Sequence, residues 1–256
     1  MKWVTAVVLA VASAAPLALL VAPSPRADAQ TAPVDLRPDL RMEKLWDLKI
    51  SKEGGRRLLR FSAVIVNVGV GPFEASGRRT DTNAPTMTDT NQRVYDDAGG
   101  YRDVSTPGAE MYFGGDGHNH WHVRNLESYE LDRQDNGAKV GTGAKSGFCF
   151  YDNYQFNFDP NAYPGAYWGC GGSSELSVTM GLSKGWGDMY HSSLPDQYID
   201  IGGLTAGNYR LWATADRSNW YIESDEANNW TYCDIHIGPG TKLRNLGCGG
   251  YATPLG

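Results

Sequence analysis

Apolar and polar residues alternate along several short segments of the chain, a period of two that is typical of half-buried β-strands. The positions predicted to face inward are Leu59, Phe61, Ala63 and Ile65; Tyr209, Leu211, Ala213 and Ala215; and Thr231, Cys233, Ile235 and Ile237. Turn-forming residues such as Gly207-Asn208 flank these segments. No stretch keeps a helical period long enough to indicate an extended helix. The pattern therefore predicts a mostly β fold, an antiparallel β-sandwich with little helix.

Two long stretches lack this alternation. Residues 70–110 are rich in Gly, Thr, Asp and Asn, and residues 151–190 are rich in Gly, Tyr and Trp. The 31 glycines and 13 prolines of the chain also favour turns over regular elements. We therefore predict long irregular loops in both stretches, and loops of this length are frequently functional.

The first residues have the organisation of a secretory signal. Lys2 supplies a positive start, residues 4–22 are almost wholly apolar, and Ala27-Asp28-Ala29 matches a small-x-small cleavage site. A membrane anchor is the alternative, but Pro16 interrupts the apolar run. We predict that residues 1–29 are removed, that residues 30–40 form an extended leader, and that residues 41–256 form one domain. The mature protein is then secreted, with no stable insertion in a membrane.

The charge and the cysteine content of the chain agree with the prediction of a secreted protein. The formal net charge is −6, and an acidic surface argues against nucleic acid as a partner. Export permits disulfides, and the 4 cysteines allow three pairings. We predict the bridges Cys149–Cys170 and Cys233–Cys248, because each of them then closes a short local loop.

The most specific local feature is the segment Gly117-His118-Asn119-His120-Trp121-His122. Side chains at alternate positions of a strand point to one face, so the three histidines can converge. Imidazole suits copper, zinc, iron and nickel, and fewer than four protein ligands leaves a position open for water or oxygen. The segment therefore predicts one transition-metal ion held by His118, His120 and His122. Copper and zinc are not distinguished by these ligands.

The histidine strand must bend to bring all three rings to one ion. Fully extended, its outer Cα atoms would lie ~13 Å apart, and Gly114, Gly115 and Gly117 could supply the bend. A surface cluster that binds metal only adventitiously is the alternative. Of the two remaining histidines, His236 is expected to be an ordinary strand residue, while His191 follows Tyr190 and could support the site.

From His118 onward, a series of motifs resembles the lysyl oxidase family in order and in spacing, over about half the chain. The matching segments are His118-Asn119-His120-Trp121-His122, Lys145-Ser146-Gly147-Phe148-Cys149, Gly185-Trp186-Gly187-Asp188-Met189-Tyr190, Gln197-Tyr198-Ile199-Asp200-Ile201, Gly207-Asn208-Tyr209, Glu223-Ser224-Asp225 with Asn228-Asn229, and Cys233-Asp234-Ile235. Such a series is far more specific than the histidine motif alone.

Members of that family are secreted copper amine oxidases with a self-made quinone, lysine tyrosylquinone. The resemblance implies copper at the three histidines and a cross-link between Lys145 and Tyr190. Copper with dioxygen can oxidise a tyrosine ring to a quinone, which is an electrophile that a neutral lysine amine can attack. Asp188, two residues before Tyr190, is then the general base of the reaction or a hydrogen-bonding partner.

The activity implied is oxidative deamination of primary amines, with peptidyl lysine among the candidate substrates. Dioxygen is the oxidant, and the products are an aldehyde, ammonia and hydrogen peroxide. The chain departs from animal relatives in having fewer cysteines. It also carries Ser128 and Tyr129 where those relatives have a further histidine, so a general-base role for that histidine does not carry over.

Two other functions remain compatible with the residues. A non-catalytic extracellular binding module could use the aromatic loop residues as a carbohydrate or peptide platform. Those aromatic residues are Tyr151, Tyr154, Tyr163, Tyr167 and Trp168. A zinc hydrolase could activate water on the three histidines, although the chain lacks an H-E-x-x-H signature.

Overall fold

The computed structural model describes residues 1–3, 32–114, 119–157 and 165–254. The chain divides into two compact units, Met1–Ala32 and Pro33–Gly256. Beyond its first three residues, the predicted signal peptide lies outside the described residues, so the structure leaves it a prediction. Within the predicted leader, Asp35–Leu36 forms a strand that pairs with Tyr95 and Asp96.

Every regular element of the described residues is a β-strand. In chain order the strands are β1 Asp35–Leu36, β2 Leu40–Met42, β3 Trp46–Glu53, β4 Arg56–Asn67, β5 Phe73–Arg78, β6 Thr86–Met87, β7 Asp89–Asp96, β8 Tyr101–Ser105, β9 Met111–Phe113, β10 Trp121–Arg124, β11 Glu127–Arg133, β12 Lys139–Thr142, β13 Gly147–Phe148, β14 Tyr154–Gln155, β15 Ser177–Leu182, β16 Trp186–Tyr190, β17 Tyr198–Asp200, β18 Gly207–Ala215, β19 Trp230–Ile237 and β20 Leu243–Gly249. No helix long and apolar enough to cross a bilayer occurs in this described part of the chain.

The strands form four sheets, and all pairings between the named strands are antiparallel. The orders are β1-β7-β5-β15 with β8 beside β7, β13-β10-β9-β6, β12-β11-β18-β19-β20, and β14-β16-β4-β17 with β2 and β3 also on β4. One continuous apolar cluster joins residues from all four sheets. The predicted mostly β sandwich with long loops is confirmed.

The three alternating segments are strands, as predicted. In β18 and β19 the inward positions are buried and their neighbours are partly exposed. β4 differs, because Ser62, Val64 and Val66 are buried as fully as the predicted inward residues. It is a central strand between β2/β3 and β16/β17, and its second face packs against Phe156 and Ala252. A strand covered on both faces has no solvent side, so alternation understates its burial.

The prediction of an irregular stretch over residues 70–110 was wrong. Strands β5 to β8 occupy about half of it. Their inward positions include polar side chains, which hides the alternation: Gln92 is fully buried, and its amide exchanges two hydrogen bonds with the backbone of Ile222, at 2.7 and 2.8 Å. A buried amide that is satisfied in this way costs little, so a polar residue can occupy a core position.

Both predicted disulfides are present. Cys149 is bonded to Cys170, and Cys233 is bonded to Cys248 across the neighbouring strands β19 and β20. All four cysteines are therefore paired.

Candidate active site

The histidine motif runs into strand β10, which lies between β9 and β13. His122 is opposite Tyr112 of β9, is only 3% exposed, and stacks on the Tyr112 ring at a centroid distance of 5.4 Å. His120 immediately precedes the strand, and its ring centroid lies 4.6 Å from that of His122. His118 lies outside the described residues, as do Gly115 and Gly117. The chain thus brings two of the three predicted ligands together.

Trp121 anchors this strand from the face opposite to His122. Its indole N–H donates to the carbonyl of Gly172 at 2.9 Å, and its backbone N–H donates to the carbonyl of Cys170 at 3.1 Å. The guanidinium of Arg79 covers the indole ring at 4.6 Å. Because the strand alternates, fixing Trp121 also fixes the direction in which His122 points.

Lys145 lies in the loop between β12 and β13, and the pairing of β13 with β10 brings this loop beside His122. Lys145 is 8% exposed, and together with His122 and Tyr112 it lines a small cavity of about 80 Å³. The backbone passes close to Tyr112, since a Cβ on Gly147 would lie 2.0 Å from the Tyr112 hydroxyl. Glycine at position 147 therefore permits strand β13 to lie this close to the Tyr112 side chain of β9.

Tyr190 ends strand β16 and is buried next to Lys145. The Lys145 Nζ lies 4.9 Å from the centroid of the Tyr190 ring and 5.4 Å from that of Phe148. The Tyr190 hydroxyl donates to the carbonyl of Cys149 at 2.9 Å and accepts from its N–H at 3.0 Å. Burial, with the Asp188 carboxyl nearby, raises the pKa of Tyr190 well above its usual value. The two residues predicted to form the cross-link are thus adjacent and almost excluded from solvent.

Asp188 points to the same side of β16 as Tyr190 and is 1% exposed. One of its carboxyl oxygens accepts a hydrogen bond from the side-chain amide of Asn153. Burial raises the pKa of Asp188 well above its usual value, which favours the protonated acid. His191, in contrast, points outward: its side chain is 51% exposed and hydrogen-bonds to Ser193.

Glu127 is a buried residue of the site that the sequence analysis missed. It begins β11, is 1% exposed, and accepts a hydrogen bond from the hydroxyl of Tyr129. Burial raises the pKa of Glu127 to about 8, although the Tyr129 hydroxyl and the Lys145 ammonium oppose the shift. The available signal was the alternation of Glu127 and Tyr129 with outward residues, in register with the apolar Leu131.

Residues 106–248 match the family model described as lysyl oxidase. The chain belongs to the lysyl oxidase family. It is 32% identical to human lysyl oxidase homolog 1 over 120 residues, which are 46% of this chain and 19% of that protein. It is 33% identical to chicken protein-lysine 6-oxidase over 119 residues, or 46% of this chain and 26% of the relative. Zebrafish lysyl oxidase homolog 3A is 27% identical over 181 residues, which are 71% of this chain and 19% of that protein.

This lysyl oxidase family chain therefore spans a minor part of the length of these relatives. The matched segment 106–248 includes the histidine motif, Lys145, Asp188, Tyr190 and Glu127. It also includes all four cysteines. The candidate site is thus contained within the part of the chain that defines the family.

The aromatic loop residues considered as a binding platform are mostly engaged in packing. The Tyr154 hydroxyl donates to Glu43 at 3.2 Å, the Tyr167 hydroxyl donates to Glu74 at 2.8 Å, and Tyr151 packs against the main apolar cluster. Trp168 is 66% exposed, and Tyr163 lies outside the described residues. Hydroxyls that already have partners contribute little to a new ligand, so these contacts favour a role in loop packing.

Two larger grooves, of about 450 and 480 Å³, lie on the outer face of the β12-β11-β18-β19-β20 sheet. Asp132 and Trp212 line both of them. Neither groove is lined by the histidines, Lys145, Asp188 or Tyr190. The buried ionisable groups converge instead beside the small cavity that Lys145 and His122 line, and such groups mark functional sites.

The Cys149–Cys170 bridge connects the two halves of the site, since Cys149 holds the Tyr190 hydroxyl and Cys170 holds the backbone of Trp121. Replacing both cysteines by alanine is expected to lower the free energy of unfolding by about 3 kcal/mol, because the bridge restricts the unfolded chain. Urea unfolding measures this loss.

The same double variant should expose Tyr190, which is 7% exposed, to nitration by tetranitromethane, detected by mass spectrometry. The matched control removes Cys233–Cys248, which closes a loop of similar length on another sheet. It should lose similar stability but keep Tyr190 protected. Equal nitration of Tyr190 in both variants would contradict the connecting role of the first bridge.

Proposed function

We propose that this chain is a copper- and lysine-tyrosylquinone-dependent oxidase of primary amines. The observation that carries the proposal is the position of the Lys145 amine, 4.9 Å from the centre of the Tyr190 ring. Both side chains are buried, and Lys145 shares a small cavity with His122. A lysine is rarely buried this fully, and buried ionisable groups are concentrated at functional sites.

His118, His120 and His122 would hold the copper ion. The rings of His120 and His122 lie 4.6 Å apart, so nitrogens of both can reach one ion at the usual bond length of about 2 Å. Neutral imidazoles leave the charge of the ion uncompensated, which keeps it a strong Lewis acid. The stacking of Tyr112 on His122 and the anchoring of Trp121 fix the direction of the ligand ring.

Lys145 and Tyr190 would provide the quinone. When it is formed, this group supplies an electrophilic carbonyl and accepts two electrons from a primary amine, and dioxygen then takes those electrons. The overall reaction converts an amine, dioxygen and water to an aldehyde, ammonia and hydrogen peroxide. The Lys145 amine must lose its proton before it can act as a nucleophile.

The neighbouring residues hold these two side chains in place. The backbone of Cys149 binds the Tyr190 hydroxyl, while Phe148 packs edge-on against the Tyr190 ring at a centroid distance of 5.1 Å. We assign Asp188 the part of a positioning partner of Tyr190, held by Asn153. Its raised pKa favours the protonated form, which can donate a hydrogen bond without placing a second buried charge there.

The proposed oxidase function also implies a class of substrate and a location. The name of the chicken relative specifies protein lysine, and we extend the primary amine group, including peptidyl lysine, to this chain. The predicted signal sequence and the two disulfides support action outside the cell. The acidic net charge of −6 suits cationic amines and disfavours nucleic acid.

Copper loading of the purified full chain in air tests the proposal. We expect visible absorbance from a quinone, a coloured adduct with phenylhydrazine, and peroxide release when a primary amine is added. Zinc-loaded protein is the matched control: zinc binds imidazole equally well but has no redox chemistry, so that sample should stay colourless. A colourless, peroxide-silent copper protein would contradict the proposal and favour a binding module.

A further inference from the structure

The proposed cross-link between Lys145 and Tyr190 leaves one buried carboxyl of the site without an assigned function. Glu127 enters from a different strand, β11, and is 1% exposed. Its partners in the structure are the Tyr129 hydroxyl, which donates to it, and the Lys145 ammonium, which attracts it. Burial of an ionisable carboxyl costs free energy, so a buried carboxyl next to a reactive amine is a candidate for proton transfer.

Glu127 also borders free space. The residues that line a cavity of about 230 Å³ include Glu127, Tyr129, Glu130 and Lys145. One water takes roughly 30 Å³ of liquid volume, so this space accepts an alkylamine of several heavy atoms. Of the two residues of the proposed cross-link, Lys145 lines it and Tyr190 does not, and Asp188, whose carboxyl is engaged by Asn153, does not line it either. A substrate that approaches the cross-link from the Lys145 side would therefore pass Glu127 and not Asp188.

We propose that Glu127 is the general base that removes the proton from the amine-bearing carbon of the substrate. The inference rests on the proposed function and names a catalytic residue for it. The C–H bond breaks, its proton goes to the Glu127 carboxylate, and its electron pair goes to the quinone that the proposed function supplies. Dioxygen later accepts the two electrons, and Glu127 returns its proton to solvent.

The electrostatic surroundings suit this role. The groups that face Glu127 are Tyr129 on its own strand, Lys145 on the β12–β13 loop, and Asp188 and Tyr190 on β16. Burial raises the pKa of Glu127 to about 8, so the carboxylate is a far stronger base than an exposed glutamate. A base whose pKa lies near the working pH gives the most efficient proton transfer.

Turnover should depend on pH through Glu127. Only the deprotonated carboxylate can accept the proton, so turnover should rise as the pH increases through the pKa of Glu127. Cross-linking of Lys145 removes the ammonium that opposes the shift. The rise should therefore be centred at pH 8 or slightly above.

A Glu127→Gln variant tests the assignment, because glutamine fills the same space but accepts no proton. It should form the quinone and its phenylhydrazine adduct to the same extent as the unchanged protein. Its kcat should fall by about 10²–10⁴-fold, the usual contribution of a general base, with a smaller change in KM. An α-deuterated amine should show a larger isotope effect. Glu127→Asp should recover part of the rate.

Two readouts separate this role from a structural one. In copper-free protein with ¹³C-labelled glutamate, a carboxyl resonance that titrates near pH 8 should be absent from Glu127→Gln. Tyr129→Phe removes the hydrogen bond that favours the carboxylate, so the rise of turnover should move to higher pH with its plateau largely retained. Glu53→Gln is the control, since Glu53 is 43% exposed and paired with Arg60.

The outcomes distinguish the two proposals. Glu127→Gln protein that is coloured and turns over amine within a few-fold of the unchanged protein would overturn the base role alone. Colourless Glu127→Gln protein beside a coloured parent would assign Glu127 to cofactor formation and equally overturn it. A parent protein without colour would refute the proposed function, and the base role with it.

Discussion

A Lys145→Ala variant is expected to bind copper like the unchanged protein, to stay colourless and to oxidise no amine. The Lys145 Nζ lies 4.9 Å from the centre of the Tyr190 ring, and no other residue is assigned to supply a nitrogen there. Removal of a residue that takes part in covalent catalysis typically costs at least ~10³-fold in rate. Peroxide release, the visible spectrum and peptide mapping for a Lys145–Tyr190 cross-link measure the three effects.

Tyr190→Phe should give the same result for a different reason. Phenylalanine keeps the edge-on packing against Phe148, so the fold is retained, but it lacks the oxygen at which ring oxidation begins.

The matched control for Lys145→Ala is Lys139→Ala, because Lys139 is exposed and pairs with Glu130 at 2.8 Å. It should leave colour and activity unchanged. A coloured, active Lys145→Ala protein would exclude Lys145 from the cofactor.

Replacement of His122 by alanine should have the largest effect on metal binding. His122 is 3% exposed and its ring lies 4.6 Å from that of His120, so its loss removes one of three proposed ligands. Altering residues that merely orient a ligand typically costs 10–100-fold in metal affinity, and loss of the ligand itself should exceed ~10²-fold. Bound copper after dialysis and competition with a chelator measure the change.

The control for this variant is His236→Ala. His236 faces outward from β19 and hydrogen-bonds to Asn208 at 2.8 Å, so its replacement should leave copper at full stoichiometry. Thermal unfolding of the metal-free proteins shows whether the loss of the His122–Tyr112 stacking alters the fold itself. Full copper occupancy in a folded His122→Ala protein would place the metal elsewhere.

These experiments also decide between the alternative functions. A zinc hydrolase would hold zinc at full occupancy and cleave esters or peptides without colour. A binding module would keep copper and be silent in the peroxide assay. Because the hydroxyls of Tyr154 and Tyr167 already have partners and Tyr151 packs against the core, the second alternative would depend mainly on Trp168 among the described loop aromatics.

Local patterns were enough to predict several features of this protein. The alternation along β18 and β19 and the pairing of cysteines across short loops depend on residues near one another in the chain. His118, His120 and His122 were predicted as metal ligands from their own alternating spacing, while Lys145 and Tyr190 came from the resemblance, which also relies on short ordered motifs. Such patterns can be recognised in the sequence because each of them involves only a few neighbouring residues.

Only the tertiary structure decided which residues of the candidate site are neighbours. Glu127 reaches Lys145, and Lys145 reaches Tyr190, only because β11, the β12–β13 loop and β16 meet in the core. The same is true of Gln92, a polar residue at a core position whose partner is the distant backbone of Ile222. Whether a carboxyl is a surface charge or a strong buried base depends on its neighbours and on exclusion of water, and no local pattern carries that information.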